Sequence, residues 1–486
     1  MKKNTFSIAI AGVLLSGLLV TGCNKMLDIK DPINSITTNQ VFQTDDQASI
    51  ALNGLYSYLI NGGENELNSF ATLGNELFSA GGVTLAAGHS ADELYHPSLS
   101  GDDQYFVETA NKITLQSLGY SPKMWKSAYK GIFNANALIE GAKTATSKDF
   151  TQAYRKRVLG EALAVRAMGY FYLVNLFGKV PLALSIDYND TQKLPSASPD
   201  VVYQQIINDL EEASGYLSGN YDGNNVERIR INKWYVKALL ARVYLFTGNY
   251  EKAWQHANDV ISETGLFQLE SLNKVFSISS REVIFQLKQS NISAVRGNAT
   301  PEQFAMTGRY LTPMLVNAFE AGDNRKTEWT QEVPGGPFTP AGFYPAKYKI
   351  NSTNHVVNGY RSEYYVVMRL AEMYLVRAEA NMLRGAANKN AVIDDLNAIR
   401  RRAGLNDLSY TLTDQQVTDA IAHERRIELF AEWGHRWLDL KRTNKATGVL
   451  SAVSYKQPWN PYQLLYPVPP DEILWDNQLS QNIGYN

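Results

Sequence analysis

The sequence predicts a mostly α fold: helical pairs stacked as a partial α-solenoid, with large irregular loop inserts and a few short strands. Three observations carry that expectation. Apolar residues recur at helical spacing through several long segments. Small residues sit within those segments where neighbouring helices must approach closely. Two stretches, near 61–106 and 268–362, lose the periodicity and are broken by Gly and Pro. Loops of that length in compact proteins more often carry function than idle.

The chain opens with Lys2 and Lys3, an apolar stretch from Phe6 to Val20, and then Thr21-Gly22-Cys23. A basic start, an apolar middle and small residues before a cleavage point make residues 1–22 a signal peptide. Val20-Thr21-Gly22-Cys23 resembles the bacterial lipobox, in which the cysteine is acylated and becomes the first residue of the mature chain. The apolar run is short for a spanning helix. Cys23 is also the only cysteine among 486 residues, so no intrachain disulfide can form. Residues 23–44 carry Pro32, several Asn and Thr, and little periodicity; they read as a lipidated tether. Residues 45–486 are expected to form one helical domain that carries both inserts.

The elements follow in order. Asp45 to Tyr58 is helical, with Ala48, Ala51, Leu52, Leu55 and Tyr56 on one side. Trp125 to Ala142 and Val158 to Phe177 are helices; Gly160, Ala164 and Gly169 leave the second able to pack closely, and Pro181 follows its end. Val201 to Leu217 is amphipathic, with Asp200 as the expected N-cap. In 233–262, Leu240-Ala241-x-x-Tyr244, Gly248-Asn249-Tyr250 and Ala253-x-x-x-Ala257 follow the spacing of a tetratricopeptide repeat. The fit is partial: Lys237, Ala257 and Gly265 stand where the repeat prefers Trp, Phe and Pro. A second pair runs from Val367 to Leu383 and from Ala391 to Arg402. Val283 to Leu287 reads as a short strand.

Composition excludes several functions. Net charge is −2 and the pI is 6.4, so no overall field draws the chain to nucleic acid. Hydrophobic content of 44% suffices for a large core. His423-Glu424 begins like a zinc protease motif, but Ile427 stands where the second histidine belongs. No phosphate loop, dinucleotide fingerprint or nucleophile elbow is present, and no cofactor is expected. The block from Glu424 to Arg442 interleaves Arg and carboxylate groups with Leu, Phe and Trp. It reads first as a satisfied ion network at a helix packing joint, ahead of a catalytic or anion site, because burying such groups unpaired is costly.

That block closely resembles the C-terminal signature of the SusD/RagB outer-membrane lipoproteins of Bacteroidetes. Other stretches agree in order. They include Ala51 to Tyr56, Asn134 to Ile139, Gly160-Glu161-Ala162 with Phe177 to Pro181, Phe319-Glu320 with Asp323 and Arg325, and Arg369 to Leu375. The tail Tyr466-Pro467-Val468-Pro469-Pro470-x-Glu472, ending Gln481-Asn482-x-Gly484-Tyr485, completes the match. The resemblance implies a tetratricopeptide-like fold on the outer membrane and a non-enzymatic protein that captures glycan oligomers. It implies a SusC-like TonB-dependent transporter as partner. One departure stands out: Asp28 and Asp31 are the only acidic residues soon after Cys23.

A sugar site without catalysis needs exposed aromatic platforms and polar groups that satisfy hydroxyls. The first insert offers Asn75, Glu76, His89, Asp92, Tyr95, His96, Asp102 and Tyr105. The second offers Arg309, Tyr310, Trp329, Phe338, Phe343, Tyr344 and Tyr360. Tyr95, Tyr105 and Trp329 are the leading expectations, with His96, Asp92, Arg309 and Tyr344 beside them. Alternatives stay open: a peptide-binding RagB-like importer subunit, a helical scaffold that binds only protein, and a hydrolase.

Overall fold

The computed structural model describes residues 41–62, 78–96, 104–221, 227–289, 309–336, 340–349, 362–385 and 388–485, with the backbone alone for Gln104 and Tyr105. The leader, Cys23 and most of the tether fall outside these residues. Helix makes up 56% and strand 7%, so the expected fold class holds.

The principal helices are α1 (Asp45–Asn61), α2 (Val83–Ser90), α3 (Ser121–Thr144), α4 (Gln152–Phe177), α5 (Pro199–Tyr216), α6 (Lys233–Phe246) and α7 (Tyr250–Ile261). They continue with α8 (Asn324–Trp329), α9 (Leu370–Leu383), α10 (Lys389–Arg402), α11 (Asp414–Glu428) and α12 (His435–Arg442). Thr44 starts α1: its hydroxyl accepts from the Gln47 amide at 3.3 Å. At the start of α5, Ser198 is the N-cap and Pro199 opens the first turn, so the cap lies two residues before the expected Asp200.

α3, α4 and α5 pack side by side, and α4 is buried along most of its length. Its small residues explain the fit. A methyl at Gly160 would lie 2.6 Å from Leu217, and one at Gly169 would lie 2.9 Å from Ile132. The predicted repeat becomes α6 and α7, joined through Gly248 at φ 77°. α7 also packs on α9, which extends the stack to α9, α10 and α11 around Leu375, Leu396 and Val417.

Two further expectations change. Val367 to Arg369 belong to a strand, β8 (Tyr365–Arg369), and not to α9. β8 pairs antiparallel with β4 (Val283–Leu287), with Leu287 opposite Tyr365 and Val283 opposite Arg369, and the short β2 (Val180–Pro181) and β3 (Ser196–Ala197) pair after α4. The first insert is also less irregular than expected, because it contains the wholly buried α2. The chain that carries Glu424, Glu428 and Glu432 leaves α11 after Glu428. It turns at Ala431, Trp433 and Gly434, all with positive φ, before α12 begins.

Candidate functional site

The two inserts meet edge to edge. β1 (Leu94–Tyr95) in the first pairs antiparallel with β5 (Tyr310–Leu311) in the second, which sets Tyr95 opposite Tyr310. β6 (Thr330–Val333) and β7 (Gly342–Pro345) form a hairpin in which Tyr344 faces Gln331 and Phe343 faces Glu332. The loop around Pro334 and Pro340 is therefore the tip of a hairpin.

Three tyrosines gather where these strands converge. The Tyr95 and Tyr310 rings are 5.5 Å apart, and Tyr344 meets Tyr310 edge-on at 4.6 Å. Tyr310 is buried, and its hydroxyl donates to the Pro340 carbonyl at 3.1 Å. It forms the support. Tyr95 and Tyr344 are half-buried and keep part of each ring at the surface. Gly342 makes this packing possible, since a Cβ there would sit 2.6 Å from Tyr310 Cδ1. Half-buried Phe343 lies next along β7, with the Lys326 ammonium 5.7 Å from its ring. Burial and the neighbouring Tyr310 push the Tyr344 hydroxyl up to about 12, and the same two causes raise Tyr95. Both phenols are therefore neutral and able to donate or accept at ordinary pH.

The remaining expected site residues divide. His96 follows Tyr95 and is half-buried. Trp329 is not a platform: it is 0% exposed, and its indole donates to the Leu272 carbonyl at 3.0 Å. Lys347 and Arg402 stand 4.8 and 5.4 Å from its ring, so its face serves buried cations. Asp92 is also buried. It accepts from Arg436 Nε at 2.7 Å and from Arg426 Nη2 at 2.6 Å. Burial pushes its carboxyl up, and the two guanidinium groups more than offset that. Its role is to join the first insert to α11 and α12. Arg309, 6% exposed, lies beside β5 and not on the surface. His89 is buried with Nδ1 2.8 Å from Thr109 Oγ1, and burial first, then Arg309, push it well below its ordinary value. Asn75, Glu76, Asp102, Tyr105, Phe338 and Tyr360 lie outside the described side chains.

The charged block is a buried ion network. Arg325, held by Asp323, also reaches Glu424 at 2.9 Å and Glu428 at 3.1 Å. Arg369 bonds Glu428 at 2.6 Å, Glu432 at 2.8 Å and Glu282 at 2.8 Å. Lys347 and Arg402 add bonds to Glu432 and Glu428. Burial alone would raise Glu428, but Arg402, Arg369 and Arg325 hold it well below the carboxylate range. Glu320, His423 and Glu424 are the acidic and histidine residues that gather closely enough to hold a metal among the described residues. Arg400 already fills that gap, 2.5 Å from Glu320 and 2.8 Å from Glu424. The positive charge there is an arginine.

The family profile described as SusD family matches residues 241–485, just over half of the chain. The chain belongs to the SusD family. A second profile, described as starch-binding associating with outer membrane, matches residues 84–245 of this SusD-family protein. The starch-binding protein SusD of Bacteroides thetaiotaomicron is 24% identical over 585 aligned residues, covering 99% of each chain. A structure of a laminarin-binding SusD-like protein superposes with a TM-score of 0.72 at 24% identity, covering 91% of this chain and all of that one. Surface glycan-binding protein A from Bacteroides fluxus gives 0.73 at 21% identity over the same shares. These likenesses establish the fold. The family is one of non-catalytic glycan-binding proteins associated with the outer membrane, so the ion network serves structure and not turnover.

Proposed function

We propose that this SusD-family protein is a cell-surface lipoprotein, anchored through Cys23, that captures glycan oligomers and passes them to a SusC-like TonB-dependent transporter. In this reading residues 1–22 are removed, 23–44 are the tether, and 45–486 act as one domain. One observation carries it: the β1–β5 pairing gathers half-buried Tyr95 and Tyr344 on the fixed support of Tyr310. Such rings offer flat faces to sugar C–H groups, and neutral phenols and His96 can satisfy hydroxyls. The support is fixed before ligand arrives, which limits the ordering cost of binding.

Titration calorimetry of the chain against a panel of polysaccharides, their oligomers and mixed peptides tests the reading. Binding to one glycan class without cleavage, lost in Tyr344→Ala and Tyr95→Ala, supports it. Binding to peptides alone moves the protein to a RagB-like role.

A further inference from the structure

A second surface is built for contact. Trp475 is 82% exposed, whereas the other seven tryptophans are buried or half-buried. Leu474 beside it is also 82% exposed, Ile483 is 87% exposed and Tyr188 is 71% exposed. Phe133 and Leu184 are exposed too. Scattered apolar side chains on a surface are ordinary, but a contiguous set marks an interaction site.

Hydrogen bonds and an ion pair place the segments that carry Leu474, Trp475, Leu184 and Tyr188 along α3. The helix that carries Leu474 and Trp475 lies by the start of α3, where Asp471 is 3.7 Å from Lys126. The Asp476 carboxylate accepts from the Leu194 amide at 3.0 Å, which joins the same helix to the segment of Tyr188. Phe133 lies midway on the outer face of α3. One turn further, Asn136 donates to the Ala183 carbonyl at 2.9 Å and so holds Leu184 beside it. The Ile186 amide donates to Glu140 at 2.9 Å and holds Tyr188 near the end of α3. At that same end the chain enters the fold: Phe42 packs on Gly141 so tightly that a methyl there would collide.

We propose that this stripe rests on the surface of the membrane to which Cys23 is anchored, with Trp475, Leu474 and Tyr188 entering the headgroup region. The inference rests on the lipid-anchor reading above. Residues 24–40 lie between Cys23 and the described chain and span at most about 60 Å when extended. The stripe begins where that segment ends. Its chemistry fits a bilayer interface. Trp and Tyr are amphipathic rings enriched at headgroup level, and exposed Lys126 and Lys130 flank them on α3. A sugar platform would use the two aromatic rings but has no need of Leu474 and Leu184.

The full-length chain, expressed with its leader, is placed on phosphatidylethanolamine/phosphatidylglycerol vesicles with and without brominated lipid. Bromine quenches only tryptophan at membrane depth. The expected result is quenching that Trp475→Phe abolishes and Leu474→Asp weakens, with unchanged circular dichroism. No quenching, or quenching that survives Trp475→Phe, overturns the proposal. Protection of Trp475 by a glycan oligomer or a protein partner instead would also overturn it. Mass spectrometry of the Cys23 peptide tests the anchor separately. If Cys23 carries no acyl group, its thiol is coupled to a maleimide lipid, and the same quenching comparison then decides the stripe alone.

Discussion

Replacing Glu432 by glutamine probes the ion network at one carboxylate. Glu432 accepts from Arg369 Nε at 2.9 Å and Nη2 at 2.8 Å, and from Lys347. Burial pushes its carboxyl up, yet Arg369 and Lys347 hold it at about 2 where 4.5 is ordinary. That difference corresponds to about 3 kcal/mol of stability at neutral pH. Breaking a buried ion pair by removing one partner costs about 3–5 kcal/mol, so two routes agree. With an unfolding entropy of roughly 2.1 cal/mol/K per residue, the melting temperature of a chain this long falls by about 3–5 °C. The sign with pH is fixed. A depressed carboxyl contributes fully above its unfolded value and loses that contribution as pH falls through the folded one. The gap between wild type and Glu432→Gln is therefore full at pH 6–7 and closes between about pH 4.5 and 2. Scanning calorimetry at several pH values measures it. A neutral-pH gap under about 1 °C, or one that does not narrow in acid, refutes the reasoning.

Other outcomes are expected. Gly342→Val drives a side chain into Tyr310, so glycan affinity falls about tenfold, a 1.4 kcal/mol loss, while far-ultraviolet dichroism is unchanged. Trp329→Phe lowers thermal stability by about 2–4 kcal/mol through the lost bond to Leu272 and poorer packing, and leaves glycan affinity in calorimetry unaltered. Gly434→Ala combines φ 69° with a Cβ 2.5 Å from Ala87, so it lowers the denaturation midpoint by an amount equal to about 2–4 kcal/mol. Retained stability in that variant would show that the turn before α12 can relax.

The helices were legible because each carries its own signal. Leu240, Tyr244, Ala253 and Ala257 mark a packed pair whatever surrounds them. The start of α9 is hidden in the sequence for the same reason. Residues 365–376 are apolar from strand into helix except at Arg369 and Glu372, and only pairing with Val283, more than eighty residues earlier, makes Arg369 the end of a strand. The charged block was readable as structure because so many Arg and Glu side chains near Leu and Trp require partners. Its bend at Ala431 to Gly434 was not, since positive φ at Ala and Trp leaves no sequence mark. At the candidate site, Tyr95 and Tyr344 were named but their meeting was not. It depends on β1 pairing with β5 across more than two hundred residues. Trp329 looked exposed because it sits in a loop-rich stretch, and its burial comes from Leu272, Lys347 and Arg402. Trp475 carries no mark of exposure in the sequence, because it stands in a tail whose pattern is that of a family motif.

The partners of Glu428 come from Arg325, Arg369 and Arg402, three separate stretches of chain. None of these charges can leave water at low cost until partners distant in sequence have arrived. Half-assembled forms are thereby disfavoured, because they would strand a buried guanidinium or carboxylate. The final closure should be slow and all-or-none, as expected where long loops must close before any contact rewards them. Until then this segment stays hydrated.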